Sequence, residues 1–181
     1  MNLLFIYGPP AVGKLTTASL VAARTGYKGL HNHLAFDIAA SLFEPFSPPF
    51  RKTLQQVRML GIGAGIDGGL SGIILTMCYD HPRDNEIVDE LHSVVRFHGG
   101  RVQLVHLVCG IQELKKRVVS PERSLFKKVT NPEKLDAILQ RWNLFTSIEN
   151  HPGLRIDNTL QTAEAVAEQI IRHYGIPARS L

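Results

Sequence analysis

Residues 3–20 read "LLFIYGPPAVGKLTTASL", and this stretch constrains the fold more than any other. An apolar run, Leu3 to Tyr7, leads into a turn that spaces Gly8, Gly13 and Lys14 as G-x-x-x-x-G-K. The run does not alternate, which predicts a strand covered on both faces. Behind the turn, Leu15, Ala18 and Ala22 recur at helical spacing, and Gly26 ends the pattern. A strand, a Gly-rich turn and a helix N-terminus, in that order, make a phosphate-binding loop. Successive N–H groups point inward there, and the helix dipole adds positive potential. The candidate nucleotide contacts are therefore Gly8, Pro9, Pro10, Ala11, Val12, Gly13, Lys14, Leu15 and Thr16. Lys14 suits the β- and γ-phosphates as a point charge and is the first candidate catalytic residue. Leu15 departs from the motif, which places Ser or Thr there to hold magnesium. Magnesium keeps several of its waters, so Thr16, one place late, is expected to hold the ion through water.

Apolar runs and helical patterns alternate along the rest of the chain. Strands are expected at 2–7, 27–31, 72–77, 102–108 and 154–157. Helices are expected at 14–25, 32–43, 51–70, 83–97, 111–119, 132–145 and 162–174. In the second helix, Leu34, Ile38 and Leu42 share the apolar face. "EPFSPPF" at 44–50 reads as a break that no helix survives. Gly61, Gly63, Gly65, Gly68 and Gly69 make the end of the third helix weak or tightly packed. Alternation of this kind predicts an α/β fold, a parallel sheet with helices on both faces. Nothing reads as a linker, so residues 1–181 are expected to form one domain.

Composition excludes several classes. The formal net charge of +4 and the pI near 9.2 suit an anionic ligand but are too diffuse to argue for nucleic acid. The longest apolar runs, such as Ile73 to Met77, fall far short of the about 20 residues that span a bilayer. No Lys or Arg precedes Lys14, so no signal-peptide n-region is expected. Cys78 and Cys109 each end an apolar run without metal-ligand spacing, as expected of two buried thiols in a cytoplasmic protein. His31 and His33 have no third ligand spaced for zinc.

With these pieces in place, the chain resembles the small P-loop kinases, the group of shikimate kinase, gluconate kinase and chloramphenicol phosphotransferase. "IYGPPAVGKLT", "HNHL" and "RIDNT" are similar to bacterial P-loop proteins of this group labelled only as ATPases or shikimate-kinase-like. The resemblance implies a five-stranded parallel sheet in the order 2-3-1-4-5. It also implies a mobile lid over about residues 117–134, and transfer of the ATP γ-phosphate to a hydroxyl with Mg2+. The family carboxylate after the second strand is replaced by His33, and Asp37 follows four residues on. His33 is then the candidate base and acceptor contact, with Asp37 fixing its tautomer. Arg51 and Arg58, seven apart, fall in the region that lines the family's acceptor pocket. "ELKKRVVSPERS" resembles the lid, which places Arg117 against the adenine and Arg123 on the phosphates; Lys127 and Lys128 extend the charge. "QRWNLF" makes Arg141 a candidate acceptor contact, with Trp142 read as core. Asp157 and Asn158 of "RIDNT" are expected against the base, mainly through backbone groups.

After the third strand, "ILTMCYD" delays its acid to Asp80, and the glycine-rich substrate motif of shikimate kinase is absent. Both departures argue against shikimate as the acceptor. The expected function is ATP-dependent phosphoryl transfer to a hydroxyl of a small molecule. Two alternatives stand beside it. The basic pI allows a nucleoside or polynucleotide 5'-hydroxyl kinase, and the altered magnesium positions allow an ATP-binding switch or slow ATPase.

Overall fold

The computed structural model describes residues 1–121 and 129–179. The chain runs β1 (Asn2–Tyr7), α1 (Lys14–Thr25), β2 (Lys28–His31), α2 (Asn32–Leu42), α3 (Pro48–Asp67) and β3 (Gly72–Met77). It continues α4 (Asn85–Phe97), β4 (Val102–Val108), α5 (Ile111–Val118), α6 (Pro132–Arg141), β5 (Leu154–Asp157) and α7 (Ala163–Tyr174). All strand pairs are parallel, and the sheet order is β2-β3-β1-β4-β5, as expected. β1 lies at the centre, between β3 and β4, and is apolar on both faces. Leu4 and Ile6 pack with Val21 of α1, Leu114 of α5 and Val166 of α7. Leu3, Phe5 and Tyr7 pack on the other face with Ile62 of α3 and Leu91 of α4. No helix among the described residues is long and apolar enough to cross a membrane.

Three local expectations change. The Pro-rich segment does not exclude a helix, because α3 starts inside it at Pro48. Ser47 caps the helix by accepting from the Phe50 N–H, and the two prolines occupy the first turn, where no intrahelical N–H is needed. Leu34, Ile38 and Leu42 are not the buried face of α2; they are 58%, 49% and 64% exposed. Ala35 and Ala39 face inward instead, and their small side chains let α2 lie close against α3. Finally, α6 ends at Arg141 rather than continuing to residue 145, because Trp142 adopts an extended backbone. Its ring then reaches Phe46, 5.5 Å away between centroids, so Trp142 is half-buried in an aromatic cluster with Phe46, Phe50 and Phe36.

The glycines of α3 follow the tight-packing alternative at two places. A Cβ on Gly61 would lie 3.0 Å from Leu30 Cδ1, and one on Gly65 would lie 2.4 Å from Ile73 Cδ1. The helix therefore sits close against β2 and β3 and carries its upper half above the carboxyl end of the sheet.

Beneath that end, Tyr7 stacks on His106 of β4, with ring centroids 4.5 Å apart. The imidazole bonds Ser147 Oγ at 3.0 Å and the Leu144 carbonyl at 3.4 Å, while the Tyr7 hydroxyl accepts from the Ile148 N–H at 3.2 Å. Burial pushes the His106 pKa down from 6.5 to about 4. The unfolded chain thus takes up a proton that the folded site refuses until about pH 4. Stability is full above pH 6.5 and falls between pH 6.5 and 4, by a decrement on the order of 3 kcal/mol. Denaturant midpoints measured across that range should fall on acidification. His106→Phe, which keeps a ring on Tyr7 but cannot titrate, should flatten the fall; the wild-type slope in that variant would contradict the assignment.

Candidate nucleotide and acceptor site

Gly8 (φ 143°), Ala11 (φ 66°) and Gly13 (φ 100°) all have left-handed backbone, so the loop between β1 and α1 curls into a nest. Gly8 has no alternative, because a Cβ there would lie 2.1 Å from the Leu107 carbonyl oxygen. Lys14 folds back over the nest. Its ammonium donates to the Gly8 and Pro9 carbonyls at 2.8 Å each, and its third donor meets Cys78 Sγ at 3.3 Å. Cys78, just past β3, is half-buried rather than fully buried, whereas Cys109 is buried as expected. Leu15 is half-buried, and the Thr16 side chain is exposed to water in the first turn of α1. Curled N–H groups, a helix N-terminus and one lysine fit a nucleotide triphosphate, and an open Thr16 hydroxyl fits an ion held through water. Thr17, which the motif does not single out, is the buried hydroxyl of that turn, and its Oγ1 has no hydrogen-bond partner among the described residues.

The end of β5 braces the nest. Asn158 is 4% exposed, and its side-chain N–H donates to the Val12 carbonyl at 2.7 Å. Its own N–H donates to the Val108 carbonyl at 2.9 Å. Arg117 of α5 closes the other side by donating to Asn158 Oδ1 at 3.3 Å, to the Asn158 carbonyl at 2.9 Å and to the Thr159 carbonyl at 3.3 Å. Glu113 Oε1, 3.0 Å from Arg117 Nε, sets the guanidinium. Asp157 is turned into its own loop: Oδ1 accepts from the Thr159 hydroxyl at 2.6 Å and from the Thr159 N–H at 2.9 Å. Those bonds hold the carboxyl below its usual range. The sequence points to the Asn158 backbone, but its buried amide side chain is what ties three segments together. Arg123, Lys127 and Lys128, with the rest of residues 122–128 in the middle of the expected lid, lie outside the described residues.

The residues expected on the acceptor side lie beyond β2 and β3. His33 and Asp37 stand one turn apart on α2; His33 is half-buried and Asp37 exposed. Arg58 of α3, a candidate from the sequence, is 4% exposed. It forks onto Asn32 Oδ1 at 3.0 and 2.5 Å and reaches Gln55 Oε1 at 3.3 Å. Burial pushes its pKa down to about 10, against the opposing pull of Asp84. Asp84 precedes α4, and its Oδ2 accepts from the Asp80 N–H at 2.9 Å. Burial pushes its carboxyl above the usual range; the Asp80 N–H opposes this, the Asp80 charge adds to it, and Arg58 and Arg83 oppose it. Asp80 in turn accepts from the Asn143 N–H at 2.9 Å. Arg51 lies apart from this group and holds the Phe46 carbonyl at 2.9 Å. Arg141 is exposed at the end of α6. Sequence patterns do not single out Asn32 or Asp84; an aspartate directly before a helix reads first as a cap, which Asp84 is not by side chain. No group of three His, Cys, Asp or Glu side chains placed to hold a metal occurs among the described residues.

Asn158→Ala would leave the Val12 carbonyl without its partner and remove one of the bonds of Arg117. A loss of about 1–3 kcal/mol is expected in denaturant unfolding, with a matching drop in nucleotide affinity. An unchanged midpoint would remove Asn158 from this bracing role.

No family model matches the chain, and a sequence comparison with curated proteins finds no match. Solved structures do match it in fold. A sugar kinase from Janibacter sp. superposes with a TM-score of 0.69 at 19% identity, covering 97% of this chain and 95% of that one. The corresponding values for a gluconokinase from Sinorhizobium meliloti are 0.68, 12%, 96% and 91%. For a shikimate kinase from Acinetobacter baumannii they are 0.60, 14%, 96% and 93%. At these identities the likeness concerns architecture, and it agrees with the strand order and the curled loop. The chain has the fold of the P-loop small-molecule kinases.

Proposed function

We propose that this protein is an ATP-dependent phosphotransferase acting on a hydroxyl of a small molecule. Two charged sites at the carboxyl end of one parallel sheet support this reading. One is the nest with Lys14, after β1; the other is Arg58 held on Asn32, after β2, with Asp80 and Asp84 after β3. A bare nucleotide switch needs only the first.

ATP would lie with its phosphates in the nest. Lys14 then exchanges the Gly8 and Pro9 carbonyls for phosphate oxygens, a small movement for a flexible stem. Asn158 and Arg117 keep the loop shape and bound the base end. Magnesium, when bound, supplies charge neutralisation at the phosphates, and Thr16 would hold it through water. His33, beside Asn32 in the first turn of α2, is an acceptor contact, and Asp37 lies one turn behind it. Arg123, Arg51 and Arg141 remain candidate contacts to phosphate and acceptor. Leu15 favours a second reading, a nucleotide-binding switch or slow ATPase, because no hydroxyl binds the ion directly from that position.

ATP with magnesium at 100 times Kd should add about 2.7 kcal/mol. For a chain of this size that raises the unfolding midpoint by roughly 5–10 °C. Lys14→Ala should abolish the shift, and a persisting shift would overturn the phosphate site. Release of product from γ-labelled ATP then separates the readings. Acceptor-dependent product marks a kinase, whereas phosphate release without an acceptor marks the switch.

A further inference from the structure

Residues 142–153 connect α6 to β5 without a helix or strand of their own. Two imidazoles from different elements hold this connection. His106 of β4, 2% exposed, meets Ser147 Oγ at 3.0 Å and the Leu144 carbonyl at 3.4 Å. Further along, His92 of α4 stacks on His151, with ring centroids 3.7 Å apart and planes 10° from parallel. His151 Nε2 donates to Asp89 Oδ1 at 3.0 Å. His92 Nε2 is buried and has no hydrogen-bond partner among the described residues. A cleft of about 300 Å³, lined by Asp89, His92, Ser93, Arg96 and His151, gives water access to the edge of the stack. Both contacts favour uncharged rings. His106 is shut away from the water that would solvate a charge, and Arg155 and Lys14 add like charge. The stack tolerates one charge, beside Asp89, but two imidazolium rings at 3.7 Å repel, and Arg96 adds to the repulsion.

We propose that residues 142–153 form an acid-released strap: His92 and His106 clasp it while neutral, and protonation of both frees it while the sheet stays folded. The strap ties the loop after β3 to the aromatic cluster. Asp80 Oδ1 accepts the Asn143 N–H at 2.9 Å, the His81 N–H donates to the Asn143 carbonyl at 3.0 Å, and the Trp142 ring lies 5.5 Å from Phe46. Release undoes these contacts together, along with the Ile148 N–H bond to the Tyr7 hydroxyl. Other charges near the clasps do not drive it. Glu149 faces His81 at 3.8 Å, a pair that gains when His81 is protonated and so resists release. Glu90, also on α4, is turned to Gln55 of α3 at 2.6 Å. Burial holds both clasping rings at a pKa of about 4 instead of 6.5. The closed strap is therefore fully stable above pH 6.5 and weakens as pH falls toward 4. Each ring raises the ratio of open to closed strap roughly twentyfold between pH 7 and pH 5, and the two together raise it about 400-fold.

Trp142 is the single tryptophan of the chain and sits on the strap, so it reports release directly. Acrylamide quenching of its emission is followed in the full chain from about pH 7.5 to 4, with far-UV circular dichroism recorded alongside. Quenching is expected to rise at a higher pH than the helical signal falls, with a steepness of about two protons. His92→Phe keeps a ring for the stack but cannot titrate, and His92→Gln replaces it with a smaller polar group that cannot titrate either. Each of these, and His106→Phe, should reduce the steepness to about one proton. The double variant with phenylalanine at both positions should keep Trp142 covered until the helical signal is lost. Quenching that changes only together with the helical signal, or not at all, overturns the strap. Wild-type steepness in both His92 variants overturns the role of the stack.

Discussion

The approach of Gly8 to the Leu107 carbonyl is the constraint on which the site depends. Any side chain at position 8 would bring its Cβ to 2.1 Å from that backbone oxygen, so only glycine fits without moving β4. The phosphate loop is thus seated on the neighbouring strand, and its curl is a property of the sheet as much as of the loop. The same strand carries His106, stacked on Tyr7, which is the last residue of β1 before the loop begins. Asn158 completes the seating from the far side: it bonds Val108 at the end of β4 and Val12 within the nest. Strands β1, β4 and β5 therefore hold one object in common, a loop of inward N–H groups whose geometry is set before any ligand arrives. Preorganised donors of this kind need no reordering when phosphate binds.

The other half of the sheet holds a different chemistry. Helices α2 and α3 meet through Ala35 and Ala39 on one side, and α3 rests on β2 and β3 through Gly61 and Gly65. That close packing buries Arg58 beside Asn32. Burying a guanidinium is costly, and amide oxygens offset the cost only in part. Burial lowers the pKa of Arg58 and, separately, raises that of Asp84.

Much of this fold is legible along the chain. The bounds of β1, α1, β3, β4 and β5 follow from apolar runs closed by glycine or polar turns, which are local signals. The nest is legible for the same reason, since seven consecutive residues, Gly8 to Lys14, spell it. Errors arise where a distant partner decides. Prolines at 48 and 49 read as breakers until Ser47 is seen capping the helix they open. Leu34, Ile38 and Leu42 form an apolar stripe, but α3 accepts the alanine face, since small residues permit closer approach. Trp142 continues a helical pattern and leaves it to reach Phe46, a residue far earlier in the chain.

By itself, the sequence determined a parallel α/β sheet and a phosphate loop behind its first strand, because both depend on patterns of adjacent residues. Tertiary structure alone decided the surroundings of the candidate acceptor residues. Asn32 and Arg58 come from separate parts of the chain, and only the packing of α2 against α3 brings the amide oxygen onto the buried guanidinium. Burial then changes what those groups do: Arg58, read from the sequence as an acceptor contact, has its guanidinium held on the amide oxygens of Asn32 and Gln55. The field between two such groups depends on their separation and on the water excluded from between them, and neither quantity is written in the order of residues.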